Sequence, residues 1–174
     1  MGPHRAETLT PPAPLDIFAT GAIMGSMSDT ILNDDHFCFV CGSRNPDGLR
    51  IRFEYPEKGF CRTVFTPPGK YQGWHGILHG GIISTLLDEA FAHAAGGAER
   101  SVDGGGAVTA EMTVRFKKPV KIGEPAFLEG RVLAAKGRVI ECESVLRDAG
   151  GQELASATGK LIKLKKNHAA GGAT

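Results

Sequence analysis

The sequence has little net charge, few cysteines and no long apolar run, and each absence removes a class of function. Twenty Lys and Arg stand against nineteen Asp and Glu in 174 residues, a formal charge of +1. The electrostatic footprint of a nucleic-acid binder is therefore missing. Four cysteines, Cys38, Cys41, Cys61 and Cys142, are too few for a disulfide scaffold. Residues 1–30 lack a basic segment followed by an apolar core; the best run, Ile17 to Met24, is broken by Thr20 and Gly21. No stretch approaches the roughly 20 apolar residues that span a bilayer. An organellar transit peptide wants several arginines, and only Arg5 is there. These features are read as a cytoplasmic protein with reduced thiols and neither nucleic acid nor membrane as partner. Two hydrolase signatures are also missing, the Gly-x-Ser-x-Gly elbow and the His-Glu-x-x-His zinc helix.

Glycine is what the chain has in abundance. Its 24 glycines are about twice the usual share, and ten of them fall at 69–81 and 96–106. With 41% hydrophobic residues and no Gly-x-x period, neither collagen nor simple disorder fits. One domain is the expectation at this length. Residues 1–33, rich in Pro, Thr, Ala and Gly, read as a flexible extension, with Met24 or Met27 as an alternative start. Residues 34–165 read as the folded domain and 166–174 as a disordered tail.

Within the domain, Leu49, Ile51, Phe53 and Tyr55 alternate with Arg50, Arg52 and Glu54, which predicts a half-buried strand. A turn at Pro56-Glu57-Lys58-Gly59 and a return strand from Phe60 to Phe65 follow. Over 108–117, Val108, Ala110, Met112, Val114 and Phe116 are expected on one face. Thr109, Glu111, Thr113, Arg115 and Lys117 fall on the other, and Pro119 ends the run. Strands at 126–134, 138–147 and 154–164, joined by turns at Ala135-Lys136-Gly137 and Asp148-Ala149-Gly150-Gly151, imply an antiparallel meander.

One segment breaks the pattern. Ile82, Ile83, Leu86, Leu87, Ala90, Phe91 and Ala94 recur at helical spacing. The opposite face carries Ser84, Thr85, Asp88, Ala92 and Ala95, and no Lys or Arg occurs between Lys70 and Arg100. Such a helix is expected to be buried on both sides, the second side against another subunit. The fold class is α+β, an antiparallel sheet wrapped around one central helix.

His79-Gly80-Gly81 immediately precedes that helix. The first amides of a helix lack intrahelical partners, and its dipole favours negative charge there. Without a Cβ at Gly80 and Gly81, a ligand carbonyl can approach those amides, which would stabilise an oxyanion during acyl transfer. The simpler reading is a tight turn into the helix, and spacing alone does not separate the two. Asp88, two turns on and on the small-residue face, is a carboxylate in a buried helix. It reads as a general base or nucleophile, or as an Asp bonded to a serine, a threonine or a loop amide. Its neighbour Glu89 has a sufficient partner in His93, four residues on.

Other combinations are weaker. Cys38-x-x-Cys41 is half a zinc site without a second pair; Cys61, Cys142 and His36 would have to complete it in space. No metal and no other cofactor is expected. A redox Cys-x-x-Cys opens a helix, and this one precedes a strand. Gly104-Gly105-Gly106 lacks the strand–glycine–helix order of a nucleotide loop. Arg115, Lys117, Lys118 and Lys121 read as a solvated strand end, with phosphate contact as the alternative.

Taken together, His79-Gly80-Gly81-Ile82-Ile83-Ser84-Thr85-Leu86-Leu87-Asp88-Glu89-Ala90 resembles the histidine–glycine–glycine motif of the hotdog-fold acyl-CoA thioesterases, in particular the phenylacetate-pathway and mammalian branches. Cys38-Phe39-Val40-Cys41-Gly42 followed by Asn45-Pro46-Asp47-Gly48-Leu49 is similar to the opening of many bacterial members. The resemblance covers about residues 36–164. It implies that Asp88 is the catalytic carboxylate, that the Gly80 amide polarises a thioester carbonyl, and that His79 starts the helix. It also implies that Thr109 helps position water, since it precedes Pro119 as the family's hydroxyl precedes its proline. Some relatives carry Asn or Gln where this chain has Gly73; Gln72 and His75 are the nearby candidates for that role. Gly81 and Trp74 are expected to bind substrate, with Phe91 and Tyr71 as further lining of an acyl site. The implied activity is hydrolysis of acyl-CoA in a homodimer or homotetramer whose site lies between subunits. The alternative is a non-catalytic acyl-CoA-binding module.

Overall fold

The computed structural model describes residues 35–97 and 106–164. The expected extension 1–33, the tail 166–174, and Gly104 and Gly105 lie outside them. Six antiparallel strands form the main sheet: β1 (Glu54–Glu57), β2 (Phe60–Phe65), β5 (Ala107–Phe116), β6 (Ala126–Lys136), β7 (Val139–Arg147) and β8 (Glu153–Lys163). Their spatial order is β1-β2-β6-β7-β8-β5. A 3-10 turn at Gly69–Tyr71 leads into a small hairpin, β3 (Gln72–Trp74) with β4 (Ile77–Leu78), that the sequence reading did not foresee. Among the described residues there is one α-helix, α1 (Gly80–Gly96), which follows at once and packs on the main sheet.

The expected meander is formed by β6, β7 and β8, with β6 running on to Lys136 and the turn falling at Gly137 and Arg138. β5 pairs with β8 at the far edge instead of with β6. The reason lies in the proline-bounded link between β5 and β6. It does not turn back: Leu78 donates to the Val120 carbonyl at 2.8 Å and Ile122 to that of Gly76 at 2.9 Å, with Val120 buried. The first expected strand is also corrected. Ile51 is buried between exposed Arg50 and Arg52, yet the ladder begins only at Glu54. Upstream, the Leu49 and Ile51 amides are taken by the carbonyls of Phe39 and Val40 at 2.8 and 2.9 Å. β1 includes Pro56 and Glu57, leaving the turn at Lys58 and Gly59.

Strand β5 carries a bulge that changes its faces. Thr109 pairs with Leu161 and Glu111 with Lys160, so Ala110 is an extra residue. Side chains directly opposite each other in a ladder share a face, and Leu161 is fully buried. Thr109 therefore belongs to the inner face with Ala107, Met112 and Val114, while Ala110 is exposed. Strict alternation had put Val108, Thr109 and Ala110 on the wrong faces. Phe116, expected inside, is 57% exposed.

The core is the apolar face of α1 against the sheet. Ile83, Leu86, Leu87, Ala90, Phe91 and Ala94 are buried with Leu128, Leu146 and Leu161, each large side chain being worth about 1.5–3 kcal/mol of burial. Two strand glycines allow the close approach. A Cβ on Gly130 would lie 2.5 Å from the Ala90 carbonyl oxygen, and one on Gly159 would lie 2.7 Å from Cε2 of Phe91. Ser144 Oγ donates to the Leu87 carbonyl at 2.9 Å and ties α1 to β7. Among the described residues, no helix is long and apolar enough to cross a membrane.

Candidate active site

His79 is the N-cap of α1, with extended backbone at φ −63° and ψ 135°. Its carbonyl accepts the amides of Ile82 and Ile83 at 3.0 and 3.2 Å. Its ring turns back over the helix, and Nδ1 accepts the Gly81 amide at 2.9 Å. An Nδ1 that accepts leaves the proton of the neutral ring on Nε2. Three of the four amides that open a helix are thus used. Among the described residues, the Gly80 amide alone in that first turn has no acceptor. The Gly81 amide, grouped with it from sequence, is spent on the cap.

The approach to the helix is held rigidly. His79 donates its own amide to the Tyr71 carbonyl at 2.9 Å. Gly73 lies behind it, where a Cβ would be 3.1 Å from His79 Cα and Cδ2, so a larger residue at this position would push the histidine aside. Gln72 Oε1 accepts the Gly76 amide at 3.2 Å and so serves the hairpin turn. His75 and Trp74 are exposed, the indole at 83%. Phe91 is fully buried in the core and packs under Gly159, so it does not line an open surface of this chain. The Phe116 ring, also exposed, comes within 3.6 Å of where a Gly80 Cβ would sit.

Asp88 is half-buried on the small-residue face with Ser84, Thr85, Ala92 and Ala95, none of which is fully buried. Its Oδ1 is buried and has no hydrogen-bond partner among the described residues. The hydroxyls one turn earlier are committed elsewhere: Ser84 Oγ to the Gly80 carbonyl at 3.0 Å and Thr85 Oγ1 to that of Gly81 at 2.9 Å. A buried carboxylate oxygen without a donor is costly for folding. Gly80 and Asp88 are eight residues apart, about 12 Å along the helix axis at 1.5 Å per residue.

Glu89 has the opposite setting. Its Oε1 meets His93 Nε2 at 3.0 Å, as the i,i+4 spacing had suggested. His93 Nδ1 in turn meets Tyr55 Oη at 2.6 Å, and the Phe53 ring stacks on the imidazole at 4.0 Å. The sequence reading missed that Cys38 and Cys41 also reach Glu89: Cys38 Sγ is 3.8 Å from both carboxylate oxygens. Cys61 instead donates to the Ala90 carbonyl at 3.3 Å, and burial pushes the Cys142 thiol up to about 11. None of the four cysteines forms a disulfide. Of the basic group near β5, Lys117 pairs with Glu153 at 2.8 Å and Lys121 with Glu124 at 3.0 Å. The Glu153 carboxyl is held below its ordinary range by its hydrogen bonds to Lys117 and Ser156.

Residues 75–155, from the turn before α1 to β8, match the thioesterase superfamily. A Saccharolobus solfataricus protein provisionally named an esterase, SSO1253, is 32% identical over 120 residues, which are 69% of this chain and 77% of that protein. The chain belongs to the thioesterase superfamily. Its hotdog architecture is shared with the solved structure of smu.793 from Streptococcus mutans UA159 bound to acetyl CoA. The TM-score is 0.59 at 22% identity, covering 67% of this chain and 90% of that one. The acyl-coenzyme A thioesterase THEM4 of Xenopus laevis is 32% identical over 128 residues, 70% of this chain and 55% of that protein. The chain thus spans about half the length of this last relative. Superfamily membership makes hydrolysis the chemistry to test, and the cysteine loop at 38–42 lies outside the matched segment.

Proposed function

We propose that this superfamily member is an acyl-CoA thioesterase, cleaving an acyl-CoA to the free acid and CoA with Asp88 as the acidic residue of the reaction. The observation that carries the reading is the buried Oδ1 of Asp88, which has no partner among the described residues, a proton acceptor that stability does not call for. In this reading the Gly80 amide donates to the thioester carbonyl oxygen. Asp88 takes a proton from water, whose oxygen attacks the carbonyl carbon. The carbon–sulfur bond then breaks, and the CoA sulfur leaves with that proton. Thr109, on the inner face of β5, is assigned to orienting the water, and His79 holds the helix start. The exposed Trp74 and the Cβ-free Gly81 border the acyl group.

The separation of about 12 Å between Gly80 and Asp88 is too great for both to serve one carbonyl. This favours a site built from two copies, the amide of one beside the carboxylate of the other. Two features support such a homodimer or a larger even assembly: the half-buried small-residue face of α1, and the ten-residue edge strand β5. The catalytic unit is residues 34–165, acting in the cytoplasm, and the substrate is a small-molecule acyl-CoA, the class of ligand in the smu.793 structure.

The test is release of free thiol from a panel of aryl, medium-chain and long-chain acyl-CoAs. Turnover of at least one class is the expected result. Binding across the panel with no thiol release would identify a non-catalytic acyl-CoA-binding module instead.

A further inference from the structure

A second cluster of reactive side chains lies one residue from Asp88, about 100° around the helix. The Cys38 and Cys41 sulfurs and a Glu89 carboxylate oxygen all fall within 4.8 Å of one another. In a tetrahedral zinc site with bonds of about 2.0–2.3 Å, neighbouring ligand atoms stand roughly 3.5–3.8 Å apart. Cys38 Sγ is already 3.8 Å from both oxygens of Glu89.

The loop that carries the cysteines is shaped for sulfur ligation. The Gly42 amide donates to the Cys38 carbonyl at 2.9 Å and closes a tight turn. The Val40 amide points at Cys38 Sγ at 3.3 Å, a donor that stabilises a thiolate. Position 42 admits only glycine, because a Cβ would run into the Cys38 backbone and come 2.7 Å from the His36 carbonyl oxygen. The carboxylate is equally prepared. Glu89 is 8% exposed, and its Oε1 is held by His93, itself fixed by Tyr55 and by stacking on Phe53. A hydrogen-bonded partner behind a ligand is what orients metal ligands generally. Three guanidinium groups surround the loop, Arg44 on the Asp35 carbonyl, Arg50 on that of Asn45 and Arg52 on that of Cys41. Arg52, bonded to the carbonyl of a ligand residue, offsets part of the negative charge that two thiolates and a carboxylate leave over one divalent ion.

We propose that Cys38, Cys41 and Glu89 bind a zinc ion, which pins the 36–42 loop to α1 beside the candidate active site. Both thiols release their protons to solvent as the ion binds, and water completes the tetrahedron. The role is structural: the loop contributes Val40 to the core and the carbonyls that receive the Leu49 and Ile51 amides. The two soft thiolates, beside one hard carboxylate, select borderline-soft zinc over calcium or magnesium.

The test is independent of hydrolysis. Elemental analysis of the full chain, purified without chelator, is expected to find about one zinc per chain, falling to background in the Cys38→Ser/Cys41→Ser variant. Because that variant can fail to fold, metal-stripped wild type is also titrated with Co2+. The expected result is a thiolate-to-cobalt charge-transfer band with tetrahedral d–d bands at one equivalent, and affinity weakened at least about tenfold in Glu89→Gln. Background zinc in the wild type together with a Co2+ spectrum lacking thiolate bands overturns the proposal. So does a Cys38–Cys41 disulfide in the purified protein, or zinc that survives loss of both cysteines.

Discussion

Asp88 and Glu89 are consecutive on α1 and meet opposite surroundings: Glu89 Oε1 lies 3.0 Å from His93 Nε2, while Asp88 Oδ1 is buried without a partner among the described residues. The two carboxylates should therefore respond differently to removal. Glu89→Ala leaves a buried histidine without its acceptor and is expected to lower stability by about 1–3 kcal/mol. Asp88→Asn removes an unsatisfied charge and is expected to leave the melting temperature unchanged or raised. Thermal unfolding of the two variants side by side checks this; a destabilised Asp88→Asn would mean that the carboxylate serves the fold.

The two glycines at the helix start separate in the same way. A Cβ at Gly80 meets only the Phe116 ring at 3.6 Å, an ordinary contact, so Gly80→Ala should fold normally. It should nonetheless cost hydrolysis about tenfold or more, about 1.4 kcal/mol of transition-state binding, because the methyl group crowds the open amide. A Cβ at Gly81 would lie 3.0 Å from His79 Nδ1. Gly81→Ala should displace the ring and lose the cap, about 0.5–2 kcal/mol of stability by chemical denaturation.

Gly130 is a purely architectural glycine. Gly130→Ala puts a methyl 2.5 Å from the Ala90 carbonyl oxygen in the centre of the helix–sheet contact. Overpacking of this kind costs about 1–3 kcal/mol, and a lowered urea midpoint with an unchanged slope is the expected result.

Much of this was legible in the sequence, and the exceptions have physical causes. The helix and its buried face followed from spacing, because Ile83, Leu86, Leu87, Ala90, Phe91 and Ala94 all pack on one sheet. The Glu89–His93 pair was readable because it is local. The face of Thr109 was not, since the bulge at Ala110 leaves no mark in an alternating stretch. Nor was the place of β5, which depends on the Val120 link binding the hairpin at Leu78. The glycine excess is now divided by role: Gly80 and Gly81 at the helix start, Gly130 and Gly159 under the helix. Cys38 and Cys41 meet Glu89 about fifty residues away, and no local pattern announces such a contact.

Burial of Cys142, which pushes its thiol from 9.0 up to about 11, makes stability depend on pH in the alkaline range. Between those values the unfolded chain loses the thiol proton and the folded chain keeps it, so unfolding is favoured as pH rises. The contribution is intact below pH 9.0 and is lost progressively toward about 11. Denaturation across this window should show a falling slope that Cys142→Ala reduces, and native Cys142 should resist alkylation at neutral pH.

The most direct measurement is the turnover of Asp88→Asn on the best acyl-CoA substrate, with binding followed separately by calorimetry. The account predicts that kcat falls by about 10²–10⁴ while substrate affinity and the melting temperature hold. Hydrolysis within a few-fold of wild type would contradict it.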